Sequence, residues 1–586
     1  MAYGAGAPAS TGKPTSQRDR LARRKKAMWS ERESWDQHIR DVFDQTRPRR
    51  TRFSQSSTNK GDRRNQQIID NTGVIASRVL RSGLVNGLSD PSTDWFKYEP
   101  EDLALFEYGP VKDWVSQLQK LVRRIFAESN VYAALPTIYD ELGLAATGCA
   151  IIDDDFDTVI NLTTFTWGEY ALACDAKGQV NALYRDLKMT VLQCVERFGR
   201  ENCSDQVQKQ YDTCQYDEWV EVCHAIEPNL ERDPNKLDAK NLPYRSVYWE
   251  ANCAAGQDKD KFLRRSGYRS NPIIAPRWDV VGSDIYGSTC PGMEALGDMR
   301  QLQIQHKRLG RAIENNTNPA TQGPQSLRDR FVSTLPGQHN VVANPAQGKI
   351  EPVFQSNVNV NDLVNHIEDT RRRIKETFYE PYILSISQIE GVQPRNQWEI
   401  SERKGEGLLV LGPVVQRLQN ELFRPLHDRV LDRIYEICVP LWQLGEPAML
   451  PPPPPELQGM PLRIRYVSPL SKIAQQQGVA STERLLSIVA QNAQVFPGMV
   501  RKIDEEQVID ELGEMLSINS KIIRSDEVVA QIAEQQAKQQ QMEQMAALAK
   551  PVADAAGAAK TLSETNVGGG TGALEAMLDQ ARGEQE

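Results

Sequence analysis

Pro291-Gly-Met-Glu-Ala-Leu-Gly-Asp-Met-Arg-Gln-Leu-Gln-Ile-Gln-His-Lys-Arg-Leu-Gly-Arg-Ala-Ile-Glu-Asn315 is the stretch on which the fold turns. Pro291 stands near a first helical turn, where the N–H that proline lacks would have no partner anyway. The run behind it predicts a helix over 292–315. A second helix is predicted over 362–379, ended by Pro381, because the residue before a proline is pushed out of the α region. Between them, 318–354 has no helical period and holds two strand-like pieces, Val341-Val-Ala and 349–354. A structureless connection of that length would be out of place in a compact enzyme domain. As a small strand-bearing module on a helical stalk it makes sense.

Working towards the N-terminus, short β-prone runs fill 147–278: Cys149-Ala-Ile-Ile, 159–165, 170–174, 180–184, 219–226 and 245–250. Turn signals such as Asp175-Ala-Lys-Gly178 separate them. They predict an antiparallel β-rich lobe. Helices are expected before it over 111–142, 71–88 and 16–45, the last with Leu21, Met28, Trp35, Ile39 and Phe43 near helical spacing. Residues 47–64 are basic and read as loops, and 1–15 as a disordered arm.

Towards the C-terminus, 383–395 reads as a connection. It leads into a long helical stretch, 398–439, interrupted and kinked at Gly405, Gly407, Gly412 and Pro413. Pro451–Pro455 is a polyproline spacer. A strand over 462–467, helices to Ser517, a Gln/Ala/Met-rich helix over 526–549 and a flexible tail from Asn566 complete the chain. The fold class is α+β, in an elongated subunit of several lobes, and no internal repeat is visible.

Composition narrows the function. The chain has 586 residues, 40% hydrophobic and 25% charged, enough for a large core. A formal net charge of -9 argues against a surface that grips nucleic acid throughout, since phosphate neutralisation needs clustered Lys and Arg. It does not exclude a chain that lets DNA slide through it. The longest apolar stretch, 407–415, is half of the roughly 20 residues a membrane span requires, and the N-terminus lacks the order of a signal peptide. Nine Cys, an odd count without a repeating frame, read as free thiols of a cytoplasmic chain.

Chemistry-bearing motifs fail on their own terms. Gly4-Ala-Gly-Ala-Pro-Ala-Ser-Thr-Gly12-Lys13 lacks the second-half Ser or Thr of a phosphate loop, and no strand precedes it. Asp153, Asp154, Asp155 and Asp157 are dense enough for a cation, but Thr158 and Thr164 stand where a calcium loop needs Gly and Glu. A solvated hairpin turn is the better reading. Cys203, Cys214, Cys223 and His224 form no Cys-x-x-Cys pair, and neighbours on a strand point to opposite faces. No Gly-x-Ser-x-Gly elbow occurs. The basic residues Arg47, Arg49, Arg50, Arg52, Lys60, Arg63 and Arg64 fit either phosphates or acidic neighbours in an assembly. Neither a catalytic set, nor a metal site, nor a cofactor is expected.

Four stretches resemble the head-to-tail connecting (portal) proteins of short-tailed bacteriophages. The first runs from Asp70-Asn-Thr-Gly-Val-Ile-Ala-Ser to Asp94-Trp-Phe96, and the second from Ser129-Asn-Val-Tyr132 to Thr147-Gly-Cys-Ala. The third joins Asn271-Pro-Ile-Ile-Ala-Pro-Arg-Trp278, Tyr286-Gly-Ser and Ala295-Leu-Gly-Asp. The fourth is Trp398-Glu-Ile-Ser-Glu-Arg, continued by Leu411-Gly-Pro-Val-Val-Gln-Arg-Leu-Gln-Asn-Glu-Leu-Phe-Arg-Pro-Leu. They keep their order across roughly 350 residues. Two details depart from the family: Gln397-Trp398 where small residues are usual, and Thr289-Cys290 where Ser-Pro is usual.

The resemblance implies a ring of twelve subunits at one capsid vertex. Through it double-stranded DNA is packaged by the large terminase subunit and later ejected. Scaffolding protein, major capsid protein and tail adaptor are the further partners. It divides the chain into an arm and first helix (1–65), a wing (66–290), stem helices (291–317 and 361–382) around a clip (318–360), a tunnel loop (383–397), a long kinked helix (398–445), a wing and crown (446–520) and a crown helix with tail (521–586). Site expectations follow: Arg328, Arg330, Gln338 and Lys349 for docking at the clip; Gln388, Gln393 and Arg395 for sliding contacts to phosphate in the channel; and Leu296, Met299, Leu302 and Ile313 for packing that holds the ring. Two rivals predict different behaviour. A packaging enzyme would hydrolyse ATP or cut DNA, and a DNA-binding adaptor would bind with a steep salt slope and form no closed ring.

Overall fold

The computed structural model describes residues 16–50, 52, 66–102, 105, 108–236, 238–251, 261–318, 320–322, 351–352, 360–387 and 411–467, with isolated positions at 489, 508, 538, 560 and 578. The chain divides into two compact units. The first is 1–99, 114–454 and 459–474; the second is 100–113, 455–458 and 475–586.

The described elements begin with α1 (Gln17–Thr46), α2 (Thr72–Leu88), β1 (Phe96–Pro100), α3 (Gly109–Glu128) and α4 (Val131–Ala145). The β-rich lobe holds β2 (Cys149–Asp155), β3 (Val159–Phe165), β4 (Tyr170–Cys174), β5 (Val180–Thr190), α5 (Val191–Phe198), α6 (Asp205–Asp212), β6 (Trp219–Pro228), β7 (Tyr244–Glu250), β8 (Arg264–Tyr268) and β9 (Ile273–Ile274). Helices then return as α7 (Pro291–Glu294) and α8 (Leu296–Thr317). The short pair β10 (Thr321–Gln322) and β11 (Glu351–Pro352) precedes α9 (Val360–Thr377) and α10 (Glu380–Ser387). The last described elements are α11 (Gly412–Leu418), a π-helical turn (Gln419–Phe423), α12 (Arg424–Leu444) and β12 (Leu462–Tyr466). The fold is α+β, as the sequence pattern leads one to expect.

The lobe contains an antiparallel five-stranded sheet in the order β4-β5-β6-β7-β8 and a three-stranded sheet β3-β2-β9. Both faces of the larger sheet are covered. Strand alternation sends Val222 and Tyr248 to a face packed by Val191, Cys194 and Phe198 of α5 and Val207 of α6. It sends Cys223, Val247 and Trp249 to the other, packed by Leu21 and Met28 of α1. Two covered faces explain why β6 is buried almost continuously and does not alternate with solvent.

Several expectations need correcting. Helices α5 and α6 interrupt what reads as a purely β-prone segment; Thr190 and Gln193 form a reciprocal capping box that starts α5. Pro381 does not end the helical run. The chain bends at Tyr379, whose φ is 59°, and restarts as α10 with Pro381 in its first turn, the position a proline tolerates. The segment expected as a loop from 383 is therefore helical to Ser387. At the interruption expected at Gly412 and Pro413 a helix begins, with Pro413 in the first turn of α11; 398–410 lie outside the described residues. The strand expected over 349–354 is Glu351–Pro352, paired antiparallel with Thr321–Gln322; Val341 lies outside the described residues.

Helices α8 and α9 form an antiparallel pair. Asp298, early in α8, meets Arg373, late in α9, at 2.9 Å. At the other end β10 and β11 close the chain on itself. The base of the pair is tied to α2 by Asp70, whose Oδ2 lies 2.6 Å from Arg371 Nη2 and 2.8 Å from His306 Nε2.

Candidate functional site

Among the described residues no group of three or more His, Cys, Asp or Glu is placed to hold a metal ion. What the motif residues build is a junction between the helices and the β-rich lobe. Ala146 ends α4 in the left-handed region, φ 58°, and turns the chain towards β2. Its carbonyl accepts from Trp278 N at 2.9 Å. Thr147 bridges Arg277, and its Oγ1 accepts from Gly287 N at 2.8 Å. The neighbouring Tyr286 hydroxyl accepts from Leu172 N at 3.0 Å, and its ring meets Trp167 edge-on at 5.0 Å. A methyl group on Gly287 would sit 2.2 Å from the Ala146 carbonyl oxygen. The Tyr-Gly pair therefore needs glycine for close backbone approach.

Arg277 is buried and fully engaged. Its Nη2 donates to Glu421 Oε1 at 2.7 Å and to the Gly178 carbonyl at 2.9 Å. Its backbone N and Nε reach Glu421 Oε2 at 2.9 and 3.2 Å, and Nη1 reaches the carbonyls of Asp284 and Ile285. Glu421 lies in the π-helical turn, a local widening that recurs where a helix must aim a particular side chain. One fork of hydrogen bonds thus joins the β4–β5 hairpin, the segment before α7 and the α11–α12 helix. Nothing in the spacing of Arg277 and Glu421, 144 positions apart, announces the pair.

Three further connections were not legible either. Gln303 of α8 accepts from Ile69 N and Asp70 N at 2.7 and 2.9 Å and donates back to the Asp70 carbonyl. Burial alone would raise the Asp70 carboxyl, but hydrogen bonds from Thr72 and Arg371 outweigh it and hold the group below its ordinary value. Arg47 and Arg50 pair with the buried Asp140, and Arg50 Nε lies 2.9 Å from Glu141 Oε1. In the last connection, Tyr98 OH and His427 Nδ1 meet at 2.7 Å inside a cluster of Trp95, Phe96, Phe126 and Phe423. Burial pushes His427 down to about 3, so the ring is neutral there.

The sequence profile of bacteriophage head to tail connecting proteins matches residues 18–523. The chain belongs to this head-to-tail connecting protein family. It is 38% identical over 572 residues to the portal protein of Salmonella phage epsilon15, covering 97% of this chain and 100% of that protein. It is 39% identical over 529 residues to the probable portal protein of Bordetella phage BPP-1, covering 90% and 92%. Among solved structures, a chain of the virion of a native gene transfer agent particle resembles it at 9% identity and a TM-score of 0.33, covering 76% of this chain and 90% of that one. The function that goes with the family is that of the portal in a phage head-to-tail connection.

The connector sites expected from sequence fall unevenly on the structure. Arg328, Arg330, Gln338 and Lys349, and Gln388, Gln393 and Arg395, lie outside the described residues. Leu296, Met299 and Leu302 are buried within the subunit itself, while Ile313 is 48% exposed. They do not form one surface. The acidic cluster is distributed among partners: Asp153 accepts from Tyr268 OH at 2.7 Å, Asp154 pairs with Arg429 at 2.6 Å, and Asp155 accepts from Thr158 Oγ1 at 2.6 Å. It forms the β2–β3 hairpin end, with Phe156 at its tip 96% exposed. Cys223 and His224 face opposite ways, the thiol 3.1 Å from Lys25 Nζ and the imidazole stacked on Tyr248. Arg47 and Arg50, candidates for phosphate contact, are instead spent on Asp140 and Glu141. No described helix is long and apolar enough to cross a membrane.

Proposed function

We propose that this connector acts as a structural ring of twelve subunits, without enzymatic activity. It sits at one capsid vertex of the virion and is assembled in the host cytoplasm. Double-stranded DNA passes through its lumen, driven in by the large terminase subunit and later released through the tail. Scaffolding and major capsid proteins meet it during head assembly, and a tail adaptor afterwards. The observation that carries this reading is the family match over 18–523, with relatives named as portal proteins that align along nearly their whole length. The α8–α9 pair supports it: two antiparallel helices joined through 318–359, the arrangement a stem with a clip at its tip requires.

Within that reading, Arg328, Arg330, Gln338 and Lys349 serve docking at the clip. Gln388, Gln393 and Arg395, just beyond the C-terminal end of α10, serve the channel. Leu296, Met299 and Leu302 hold the stem to its own subunit, which leaves Ile313 to meet a neighbour.

Two experiments test the reading. End-on electron micrographs of the purified protein should show a closed ring with a central hole and no ATPase or nuclease activity; monomers or open filaments would overturn the ring. Rings lacking residues 388–393 should assemble and bind the motor, yet yield heads that package poorly or leak DNA. Full, stably retained genomes would remove the channel role.

A further inference from the structure

Cys194 and Cys203 place their sulfurs 3.9 Å apart, and both are fully buried. Cys194 lies on α5; Cys203 follows the short 3-10 turn Arg200–Asn202. The chain between them reverses at Gly199, whose φ of 86° suits glycine. Both thiols belong to the cluster between α5, α6 and the large sheet, among Val191, Phe198, Val207 and Tyr248. No other pair of described thiols is recorded as this close.

The two sulfurs are not equivalent. Cys203 Sγ lies 3.3 Å from the Gly199 carbonyl. Lys261 Nζ is held beside it, donating to the Cys203 carbonyl at 2.6 Å. The hydrogen bond from Cys194 holds the Cys203 thiol below its ordinary range against burial and the nearby Glu250 charge, with a smaller contribution in the same direction from Lys261. The same bond pushes Cys194 up. Neither thiol lines the shallow depression formed by Asn202, Ser204, Glu250, Lys261 and Leu263, so a small oxidant reaches Cys203 when this segment opens locally.

We infer that Cys194 and Cys203 are a modification site, a thiol pair that closes to a disulfide when the protein meets a peroxide. The Cys203 thiolate attacks one oxygen of hydrogen peroxide. The O–O bond breaks, hydroxide leaves and takes up a proton to become water, and Cys203 becomes a sulfenic acid. The Cys194 sulfur then attacks the Cys203 sulfur and displaces the hydroxyl group, which leaves as water with the Cys194 proton. Two thiols and one peroxide give one disulfide and two waters. The sulfurs need to close from 3.9 Å to about 2 Å. The bond would staple the α5–α6 excursion to itself. When it forms in nature rests on the virion reading, because a virion leaves the reducing cytoplasm; whether it can form does not.

The test uses the full-length protein, first reduced, then treated with hydrogen peroxide and unfolded with an alkylating reagent. Seven of the nine cysteines should then react, against all nine without peroxide. Trypsin should release the peptides 189–197 and 201–209 joined, two hydrogens lighter than their sum and separated by reductant. Cys203→Ser should react at eight positions with and without peroxide; should that variant not fold, Cys194→Ala serves in its place. Nine reactive thiols after peroxide, a linkage between other cysteines, or over-oxidation of Cys203 without linkage would each overturn the assignment. A failed ring in micrographs would leave this result untouched.

Discussion

Arg277 shows how much of the junction depends on single side chains. Its guanidinium is buried, and Glu421 accepts from it twice and once more from the Arg277 backbone N–H. Removing one partner of a buried pair strands the other charge, which typically costs about 3–5 kcal/mol. Glu421→Ala should therefore lower the thermal midpoint strongly, and Glu421→Gln, which keeps an acceptor, much less. Equal midpoints for the two variants would mean that the charge is irrelevant. Glu141 gives a prediction with pH. Burial pushes its carboxyl up from 4.5 to about 7, although Arg50 pulls the other way. Folding thus binds a proton between those values. The stabilising contribution is full below about pH 4.5 and is lost as pH rises through 7. The unfolding free energy from urea titrations should be lower at pH 8 than at pH 5 by on the order of 2–3 kcal/mol in the wild type, and the difference should be smaller in Glu141→Gln. A variant with the same slope would place the proton elsewhere. Neither residue stands out in the sequence. Arg277 and Glu421 both lie in recognisable motif segments, but a motif says nothing of what its letters touch across 144 positions.

At the scale of elements, the strands were legible because period-2 runs and turn residues mark them locally. The expected 159–165 and 170–174 coincide with β3 and β4. Helices α5 and α6 were not, since eight residues are too few to establish a 3.6 period, although Thr190 and Gln193 offered a capping signal. Pro381 and Pro413 were read as breakers because proline inside a helix costs a hydrogen bond. In a first turn the same residue costs nothing, and only tertiary context decides which turn it occupies. The junction makes its own prediction at this scale. Gly287→Ala would drive a methyl group into the Ala146 backbone, with contacts of 2.2–2.8 Å. Overpacking of this kind costs about 1–3 kcal/mol or more. Because the clash separates α4 from the segment before α7, the thermal midpoint should fall and protease cutting should begin near 280–290. An unchanged midpoint would show that the turn adapts.

For the whole molecule, a cyclic ring needs two different complementary faces on each subunit, and under the proposed ring we assign them to α8 and α9. The exposed side of α8 presents Ile304, Lys307, Arg308 and Arg311; the exposed side of α9 presents Asp362, Asn365, Asp369 and Glu376. Asp369 is occupied by Arg372. Lys307, Arg308, Arg311, Asp362 and Glu376 have no ion-pair partner recorded among the described residues. Arg372 and Arg373 are exposed on α9 as well and pair with Asp369 and Asp298 within the subunit; in the proposed ring, the α8 cations left over would meet Asp362 and Glu376 of the next copy. Exposed pairs contribute only about 0.2–1 kcal/mol each, yet every interface repeats them. Their reach shrinks as the Debye length falls from about 8 Å at 0.15 M salt to about 3 Å at 1 M. Sizing chromatography should therefore show less ring in Lys307→Glu/Arg311→Glu, with the monomer still folded, since both side chains are exposed. Leu302→Asp should behave differently and unfold the subunit, because Leu302 is buried within it. The decisive arm is the charge swap. Adding Asp362→Lys/Glu376→Lys to the reversed α8 should restore the ring, because each copy would again meet an opposite charge on its neighbour. If the quadruple variant assembles no better than the double, these two faces do not meet in the ring.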